Sequence, residues 1–133
     1  MSSLSQFVSR NLVGGVGLKP TLILFDGIPG TKSWTCPAGV TSVRVFCVGG
    51  GAAGTTSVSG GGGGYADAVL TVVPGTSYSY TVGAASGTSS FAASVTATGA
   101  SGSTGGAGTV GSRLSNGGAG INNLGGGGGA GTT

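Results

Sequence analysis

The sequence predicts an all-β fold, a small antiparallel β-sandwich, and three observations support this fold class. Segments of alternating apolar and polar residues recur between residues 21 and 99, each bounded by Gly or Pro. The residues that follow the glycines at 49–54 carry no apolar face of helical period. The chain has 133 residues, enough for one domain, and 33 of them are glycine, which weakens any helix.

Six segments are predicted to be strands, because turn sequences such as GIPG, CPAG and VPGT separate them. They are TLILFD, TKSWTC, SVRVFCV, YADAVLTVV, TSYSYTV and SFAASVTATG. In SVRVFCV, Val43, Val45 and Cys47 share one face, and Arg44 and Phe46 share the other. Alternation predicts three more faces: Ala66, Ala68, Leu70 and Val72; Tyr78, Tyr80 and Val82; Phe91, Ala93, Val95 and Ala97.

The chain divides into an N-terminal docking arm (1–20), a β-sandwich domain (21–99) and a glycine-rich region (100–133) packed on the sandwich or on neighbouring subunits. In the arm, four apolar residues that we expect to dock on a partner fall at helical spacing: Leu4, Phe7, Val8 and Leu12. Two alternatives stay open for this arm. It forms a short helix that ends at Gly14, or it is a terminal arm without a helix.

The glycine tracts predict a second kind of packing. Ordering a glycine costs about 0.5–1 kcal/mol more than ordering an alanine, so an ordered tract needs its backbone groups satisfied by neighbours. Extended polyglycine II helices can lie side by side with N–H···O=C bonds and Cα–H···O contacts, since no Cβ keeps them apart. We predict such a lattice from Gly49, Gly50, Gly51, Gly61, Gly62, Gly63, Gly126, Gly127 and Gly128.

Two glycine motifs resemble phosphate-binding loops but lack their context. The sequence GGGAAG at 49–54 has G-x-G-x-x-G spacing, yet glycines and not a helix follow it, whereas a dinucleotide fingerprint needs a helix N-terminus for the pyrophosphate. In GIPGTKSW, Thr31 separates Gly30 from Lys32, so the P-loop pattern is broken. We therefore expect no nucleotide and no other cofactor.

Charge and hydropathy argue against nucleic acid and membrane partners. The net charge of +3 comes from scattered basic residues with no patch, so we expect no nucleic-acid binding. No apolar run reaches 18 residues and no signal-peptide pattern begins the chain, so we expect neither membrane insertion nor secretion by the usual signal. The mean hydropathy of +0.38 also differs from that of disordered chains.

The side-chain inventory argues against an enzyme and against a metal site. The chain has no histidine or glutamate, and Asp26 and Asp67 are its whole acid inventory. We expect Asp26 to stabilise a turn, and Asp67 to face solvent or pair with Arg44. Cys36 and Cys47 are expected to be buried thiols, because the predicted strand pairing places them too far apart for a disulfide.

The order of elements resembles the glycine-rich domain of tailed-bacteriophage tail fibres, adhesins and related virion proteins. The similar features are Trp34 before a Pro-Ala-Gly-Val at 37–40, a Val-rich strand running into glycines at 43–51, and glycines leading to Tyr65. Val-Pro-Gly-Thr at 73–76 and Tyr-Thr-Val-Gly at 80–83 follow in the same order. The resemblance covers roughly residues 33–133.

The resemblance implies a non-catalytic structural protein of the virion, a tail-fibre or tail-associated projection attached through residues 1–20. Its partners would be other virion proteins and copies of itself, with a trimer as the family's habit. Two alternatives are a receptor-binding adhesin and a capsid decoration or head-fibre protein. In the adhesin, loops at 55–59, 84–90 and 112–123 would bind a bacterial surface receptor; the candidate residues are Thr55, Ser57, Thr88, Ser89, Asn116 and Asn122.

Overall fold

The described residues of this computed structural model, 5–9, 12–13, 16–17 and 21–122, hold twelve β-strands and no helix. The strands are β1 (Ser5–Ser9), β2 (Leu12–Val13), β3 (Val16–Gly17), β4 (Thr21–Phe25), β5 (Gly30–Thr35), β6 (Ser42–Val48), β7 (Tyr65–Thr71), β8 (Ser77–Val82), β9 (Ser89–Phe91), β10 (Val95–Ala97), β11 (Gly108–Val110) and β12 (Arg113–Ser115). The predicted all-β class is confirmed.

Two antiparallel sheets form a small sandwich. The five-stranded sheet has the order β11-β10-β9-β8-β5, and the three-stranded sheet has the order β12-β7-β6. Strand β6 has the predicted bounds and the predicted faces, because Val43, Val45 and Cys47 turn inward while Arg44 and Phe46 are exposed. The alternation of apolar and polar residues therefore decides which face of this sheet packs.

Small side chains dominate the core between the sheets. The residues of the buried cluster are Cys47, Ala66 and Ala68 from the three-stranded sheet and Phe91, Val95 and Ala97 from the five-stranded sheet. Trp34, Tyr78 and Phe91 add an aromatic group, with ring centroids 5.9–6.1 Å apart. Alanines on one sheet thus face large rings on the other, which fills the space between the layers.

The predicted single strand SFAASVTATG is wrong, because this segment folds back as a hairpin of β9 and β10. Val95 pairs with Phe91, and the turn between them holds Ala92 and Ala93 at φ 47° and 56°. Ala93 is therefore an exposed turn residue and does not share the inner face of Phe91 and Val95. The apolar alternation runs straight through this turn, so the sequence gives no local signal for it.

The helix considered for the N-terminal arm is also wrong. Residues 5–9 form β1, which pairs along its whole length with β4, so that Phe7 lies opposite Ile23 and Val8 opposite Leu22. Leu12 lies in β2, opposite Gly17 of β3. Leu4 lies outside the described residues. A helix this short is marginal alone, whereas β4 offers every residue of β1 a backbone partner.

Two short strands in the glycine-rich region extend both sheets. Strand β11 pairs with β10, and β12 pairs with β7, where Arg113 lies opposite Asp67 and Leu114 opposite Ala66. The sequence region from residue 100 onward thus contributes sheet edges as well as glycine packing. The segment TLILFD, in contrast, is a strand as predicted but pairs with β1 and not with either sheet of the sandwich.

A glycine lattice continues the sandwich beyond the end of the three-stranded sheet. Its central segment is 60–64, whose residues 61–64 are buried. Gly49 N donates to Gly64 O at 2.9 Å, Gly62 N donates to Gly118 O at 2.9 Å, and Gly64 N donates to Thr98 O at 3.0 Å. One segment therefore bonds to three neighbours, whereas a β-strand bonds to two at most.

The remaining contacts bring the other described tracts into the same lattice. Gly106 N donates to Gly62 O and Gly117 N donates to Gly106 O, each at 2.8 Å. Gly50 and Gly51 bond to the segment 84–87 through Gly50 N to Gly87 O and Ser86 N to Gly51 O. The predicted members Gly126, Gly127 and Gly128 lie outside the described residues.

Close backbone contact is what requires glycine at the lattice centre. A Cβ built on Gly63 would lie 1.8 Å from the carbonyl oxygen of Gly49, far inside any allowed contact. A Cβ on Gly51 of the neighbouring segment would meet only Gly61 O, at 3.5 Å. The lattice thus excludes side chains at some positions and accommodates a methyl group at others.

Gly63 and Gly51 make a matched pair for mutation, because a Cβ clashes at the first position and fits at the second. We expect Gly63→Ala to destabilise the protein by at least about 3 kcal/mol, at the upper end of overpacking effects, because both clashing groups are backbone. Gly51→Ala should leave the stability unchanged or raise it by up to about 1 kcal/mol, since alanine restricts the unfolded chain. Urea denaturation measures both. Equal losses in the two variants would contradict the lattice.

Candidate functional site

The paired strands β1 and β4, here called the N-terminal hairpin, are the first candidate surface. Among the described residues, neither strand packs against the strands of the sandwich sheets. Ile23 and Phe25 of β4 are exposed, Phe25 by 64%. Phe7 occupies the register position opposite Ile23. The hairpin therefore presents large apolar groups to the surroundings.

Asp26 fixes the point where the hairpin joins the sandwich. Its Oδ1 accepts from Ile28 N at 3.0 Å, which is the turn role expected from the sequence. Its Oδ2 accepts from Lys32 Nζ at 2.6 Å and from the Tyr80 hydroxyl at 2.8 Å. Lys32 Nζ also donates to Ile28 O at 2.7 Å. The sequence did not reveal the contacts with Lys32 and Tyr80, since they depend on the β5–β8 register.

The surroundings of Asp26 shift two pKa values in opposite directions. The hydrogen bond from Lys32 is the main reason that the pKa of Asp26 is lowered, with further help from Ile28 N and Tyr80. Burial, together with the Asp26 carboxylate, raises the pKa of Tyr80 to about 12. Asp26 is therefore ionised and Tyr80 protonated at neutral pH, which keeps this junction intact.

The far end of the glycine lattice, here called the tip, is the second candidate surface. We define it as residues 54–59, 101–104 and 121–122. Segment 49–54 leaves the end of β6 and segment 60–64 returns to the start of β7, so the loop between them lies farthest from the sheets. Most of the tip residues are exposed.

Backbone and hydroxyl contacts hold the three tip segments together. Val58 bridges to Asn122, and the Ser59 hydroxyl donates to Ile121 O at 2.8 Å and accepts from Ile121 N at 2.9 Å. Gly120, which directly precedes the third segment, donates its N–H to Ser103 O of the second segment at 2.7 Å. The loop itself is closed by Thr55, whose Oγ1 accepts from Val58 N at 3.1 Å.

The tip is neutral and rich in hydroxyl groups. Its side chains include Thr55, Thr56, Ser57, Ser101 and Thr104, all exposed, and none of the tip residues is charged. Ile121 adds an exposed apolar group beside them. Such a surface offers hydrogen bonds and a small apolar contact to a neutral ligand and gives no electrostatic attraction to an anion.

The structure brings three of the six candidate receptor residues together. Thr55, Ser57 and Asn122 lie at the tip. Thr88 is exposed beside the base of the lattice. Asn116 follows β12 directly, also away from the tip.

Ser89 has a structural role in place of the expected exposed one. It is buried, and its hydroxyl accepts from Gly83 N at 2.9 Å. We therefore leave Ser89 out of any ligand-binding surface. Ser101 and Thr104, which sequence reasoning did not single out, take its place, because a hairpin-like bridge between them forms the second tip segment.

Asp67 lies at the centre of a polar cluster on the outer face of the three-stranded sheet. It accepts from the Tyr65 hydroxyl at 2.6 Å and from Arg44 at 3.2 Å, so the expected pairing with Arg44 is confirmed. The expected alternative, a solvent-facing Asp67, is wrong, because only 2% of the residue is exposed. The guanidinium of Arg44 also lies 4.9 Å from the centroid of the Phe46 ring.

The hydrogen bond from Tyr65 is the main reason that the pKa of Asp67 is lowered, and Arg44 and Arg113 lower it further. The pKa of Tyr65 is raised, first by burial and then by the neighbouring carboxylate. This arrangement stabilises the Asp67 carboxylate in its ionised form. Both aspartates of the chain thus serve structural ion pairs.

The two cysteines are buried and free, as expected. Burial raises the pKa of the Cys47 thiol to about 11, so it carries very little thiolate at neutral pH. Cys36 donates to Val40 O at 3.2 Å, across the turn that leads into β6. Both thiols pack as small core residues.

Comparisons of the chain with protein-family models, with curated proteins and with solved structures found no match. No helix long and apolar enough to cross a membrane occurs in the part of the chain that the structure describes. The hairpin and the tip are therefore interpreted from their geometry, together with the resemblance read from the sequence.

Acid unfolding reports on the two ion pairs, because Asp26 and Asp67 are the only side-chain carboxylates of the chain. Both folded-state pKa values are lowered, so the stabilisation is complete above the unfolded pKa of about 3.9 and is lost as the pH falls through the lower folded values. We expect the free energy of unfolding to be flat from neutral pH to about pH 5 and to fall below about pH 4.

The double variant Asp26→Asn, Asp67→Asn is the control for this prediction. It should be less stable at neutral pH and should show almost no further loss in acid. Urea denaturation at a series of pH values measures both proteins. If the free energy of unfolding of the double variant falls in acid as steeply as that of the wild type, other groups control acid unfolding.

Proposed function

We propose that the protein is a non-catalytic structural component of a bacteriophage virion, a tail-associated projection attached through its N-terminal hairpin. Its partners are other virion proteins and further copies of the same chain. The proposal starts from the resemblance of residues 33–133 to the glycine-rich domain of virion proteins. Two features of the structure support it: an apolar hairpin outside the sandwich sheets and a scaffold poor in side chains.

The N-terminal hairpin is the observation that carries the proposal. It lies outside the two sandwich sheets, exposes Ile23 and Phe25, and is fixed at its base by the contacts of Asp26 with Lys32 and Tyr80. Large apolar groups exposed side by side on a protein surface are typical of a protein–protein contact. A two-stranded hairpin is also marginally stable alone and gains most from a partner that covers its apolar face.

Removing residues 1–25 tests the attachment. This truncation removes the whole hairpin and keeps Asp26, so we expect the sandwich to unfold as cooperatively as in the full chain, measured by circular dichroism. The truncated chain should be lost from purified virions, measured by quantitative immunoblot.

The double variant Ile23→Asp, Phe25→Asp separates apolar docking from mere chain length. It keeps the hairpin residues and replaces only the exposed apolar groups, and it should be incorporated as poorly as the truncated chain. Incorporation of the truncated chain at the level of the full chain would rule out the hairpin as the anchor.

The tip supports an adhesin as the second candidate function. Three segments distant in sequence meet there and expose hydroxyl groups without charge, at the end of the molecule away from the sheets. A bacterial surface glycan or neutral protein loop matches this chemistry, because both are recognised through hydrogen bonds. In this role the lattice would hold the loops in place, and the hairpin would attach the protein to the particle.

Lysine substitutions at the tip test the adhesin role. Ser57→Lys and Ser101→Lys should weaken the binding of purified, labelled protein to host cells by at least about tenfold. Ser79→Lys, on the exposed outer face of the five-stranded sheet, should bind as the wild type does. Saturable binding that competes with phage adsorption is required. If the folded wild type does not bind host cells, the adhesin role is excluded and only the structural role remains.

A further inference from the structure

The dipeptide Asn116–Gly117 joins strand β12 to the glycine lattice. Strand β12 ends at Ser115, Asn116 is exposed directly after it, and Gly117 packs against the lattice segment 60–64. None of the described residues bonds to the side chain of Asn116. Asn116 also lies away from the tip, so the candidate receptor surface gives it no role.

An asparagine followed by glycine is the dipeptide most prone to deamidation, because no Cβ hinders the backbone nitrogen of the glycine. This nitrogen loses its proton and attacks the side-chain carbonyl carbon of the asparagine. A new C–N bond forms, the bond to the side-chain nitrogen breaks, and ammonia leaves with the proton. Water then opens the cyclic succinimide at either carbonyl group, which gives aspartate or isoaspartate.

The lattice holds the attacking nitrogen of Gly117 in a hydrogen bond. Gly117 N donates to Gly106 O at 2.8 Å, so the proton that must leave is bound to another segment. A Cβ on Gly117 would overlap Gly62 O and lie 2.6 Å from Gly63 O, so the backbone is closely packed on this side. The closed lattice therefore hinders both the loss of this proton and the backbone rotation that the attack needs.

We propose that Asn116 is a deamidation site that the closed lattice protects, and that its reaction keeps an opened lattice from closing again. Local opening releases Gly117 from Gly106 and exposes its N–H to water. The rate of deamidation therefore follows the fraction of molecules in which this segment is open. The inference does not depend on the virion role, because it follows from the packing around Gly117 alone.

The isoaspartate product is the one that disturbs the lattice. In isoaspartate the main chain runs through the former side chain, so the path from residue 116 to Gly117 is longer by a methylene group. This displaces Gly117 relative to Gly62 and Gly106, whose carbonyl oxygens lie against it. The aspartate product adds only a carboxylate at an exposed position and keeps the backbone unchanged, so the lattice should tolerate it.

Two further asparagines in the same part of the chain serve as internal controls. Asn122 precedes Asn123, and Asn123 precedes Leu124, so a side chain hinders the attacking nitrogen in both cases. Trypsin cleaves after Arg113, and no lysine or arginine follows it in the sequence. All three asparagines therefore fall in one tryptic peptide, and its fragment spectra assign deamidation to a single residue.

Mass spectrometry of the wild type, incubated at neutral pH with and without urea, tests the protection. We expect Asn116 to deamidate at least about tenfold more slowly in the folded protein than in urea, while Asn122 stays largely intact in both. In native buffer, Gly63→Ala should deamidate faster at Asn116 than Gly51→Ala, because only the first substitution clashes within the lattice. Equal rates at Asn116 with and without urea, or in the two glycine variants, would overturn the proposal.

Refolding after incubation in urea tests whether the reaction keeps the lattice open. The wild type should lose refoldable protein in proportion to its isoaspartate content, measured by circular dichroism. Asn116→Gln, whose longer side chain would have to close a larger ring, should refold completely after the same treatment. Freshly prepared Asn116→Asp carries the new charge on a normal backbone and should unfold at the same urea concentration as the wild type. Complete refolding of the deamidated wild type, or a destabilised Asn116→Asp, would overturn this part of the proposal.

Discussion

The absence of side chains along residues 60–64 is the constraint on which the rest of the structure depends. Because no Cβ keeps the backbones apart, this segment packs among 49–52, 98–106 and 117–118 and bonds to each of them. Those bonds set the distance between the end of β6 and the start of β7, and they connect the C-terminal strands to both sheets. Hydrogen bonding here does what a hydrophobic core does elsewhere, since a buried backbone needs its N–H and C=O groups paired.

The sandwich and the glycine lattice are stabilised by different interactions. The sandwich is stabilised by alanines packed against Trp34, Tyr78 and Phe91 and by two ion pairs, one at the hairpin junction and one on the outer sheet face. The lattice has almost no apolar side chains to bury, and its ordering depends on backbone bonds. Charges therefore concentrate at the sandwich and the arm, while the tip remains neutral, and the two candidate surfaces differ in chemistry as a result.

Strands marked by a pattern of side chains could be predicted from the sequence, and contacts between backbone segments far apart in the sequence could not. β6 and β7 follow from apolar alternation, and the lattice follows from the glycine tracts. The turn at Ala92 and Ala93 was not predicted because alternation continues through it, and β1 was not predicted because the spacing of Phe7, Val8 and Leu12 also fits a helix. Three of the six candidate receptor residues lie at the tip, but nothing in the local sequence shows that Ser59 contacts Ile121.

The lattice also divides the chain by its tolerance of genetic change. Any substitution in the first or second base of a glycine codon introduces a different residue, and at Gly63 even a methyl group would meet the carbonyl of Gly49. Residues 55–57 of the tip are exposed and touch little else. Selection would therefore hold lattice positions such as Gly63 nearly invariant and let the tip diverge quickly, so that related chains would differ most where they meet their surroundings.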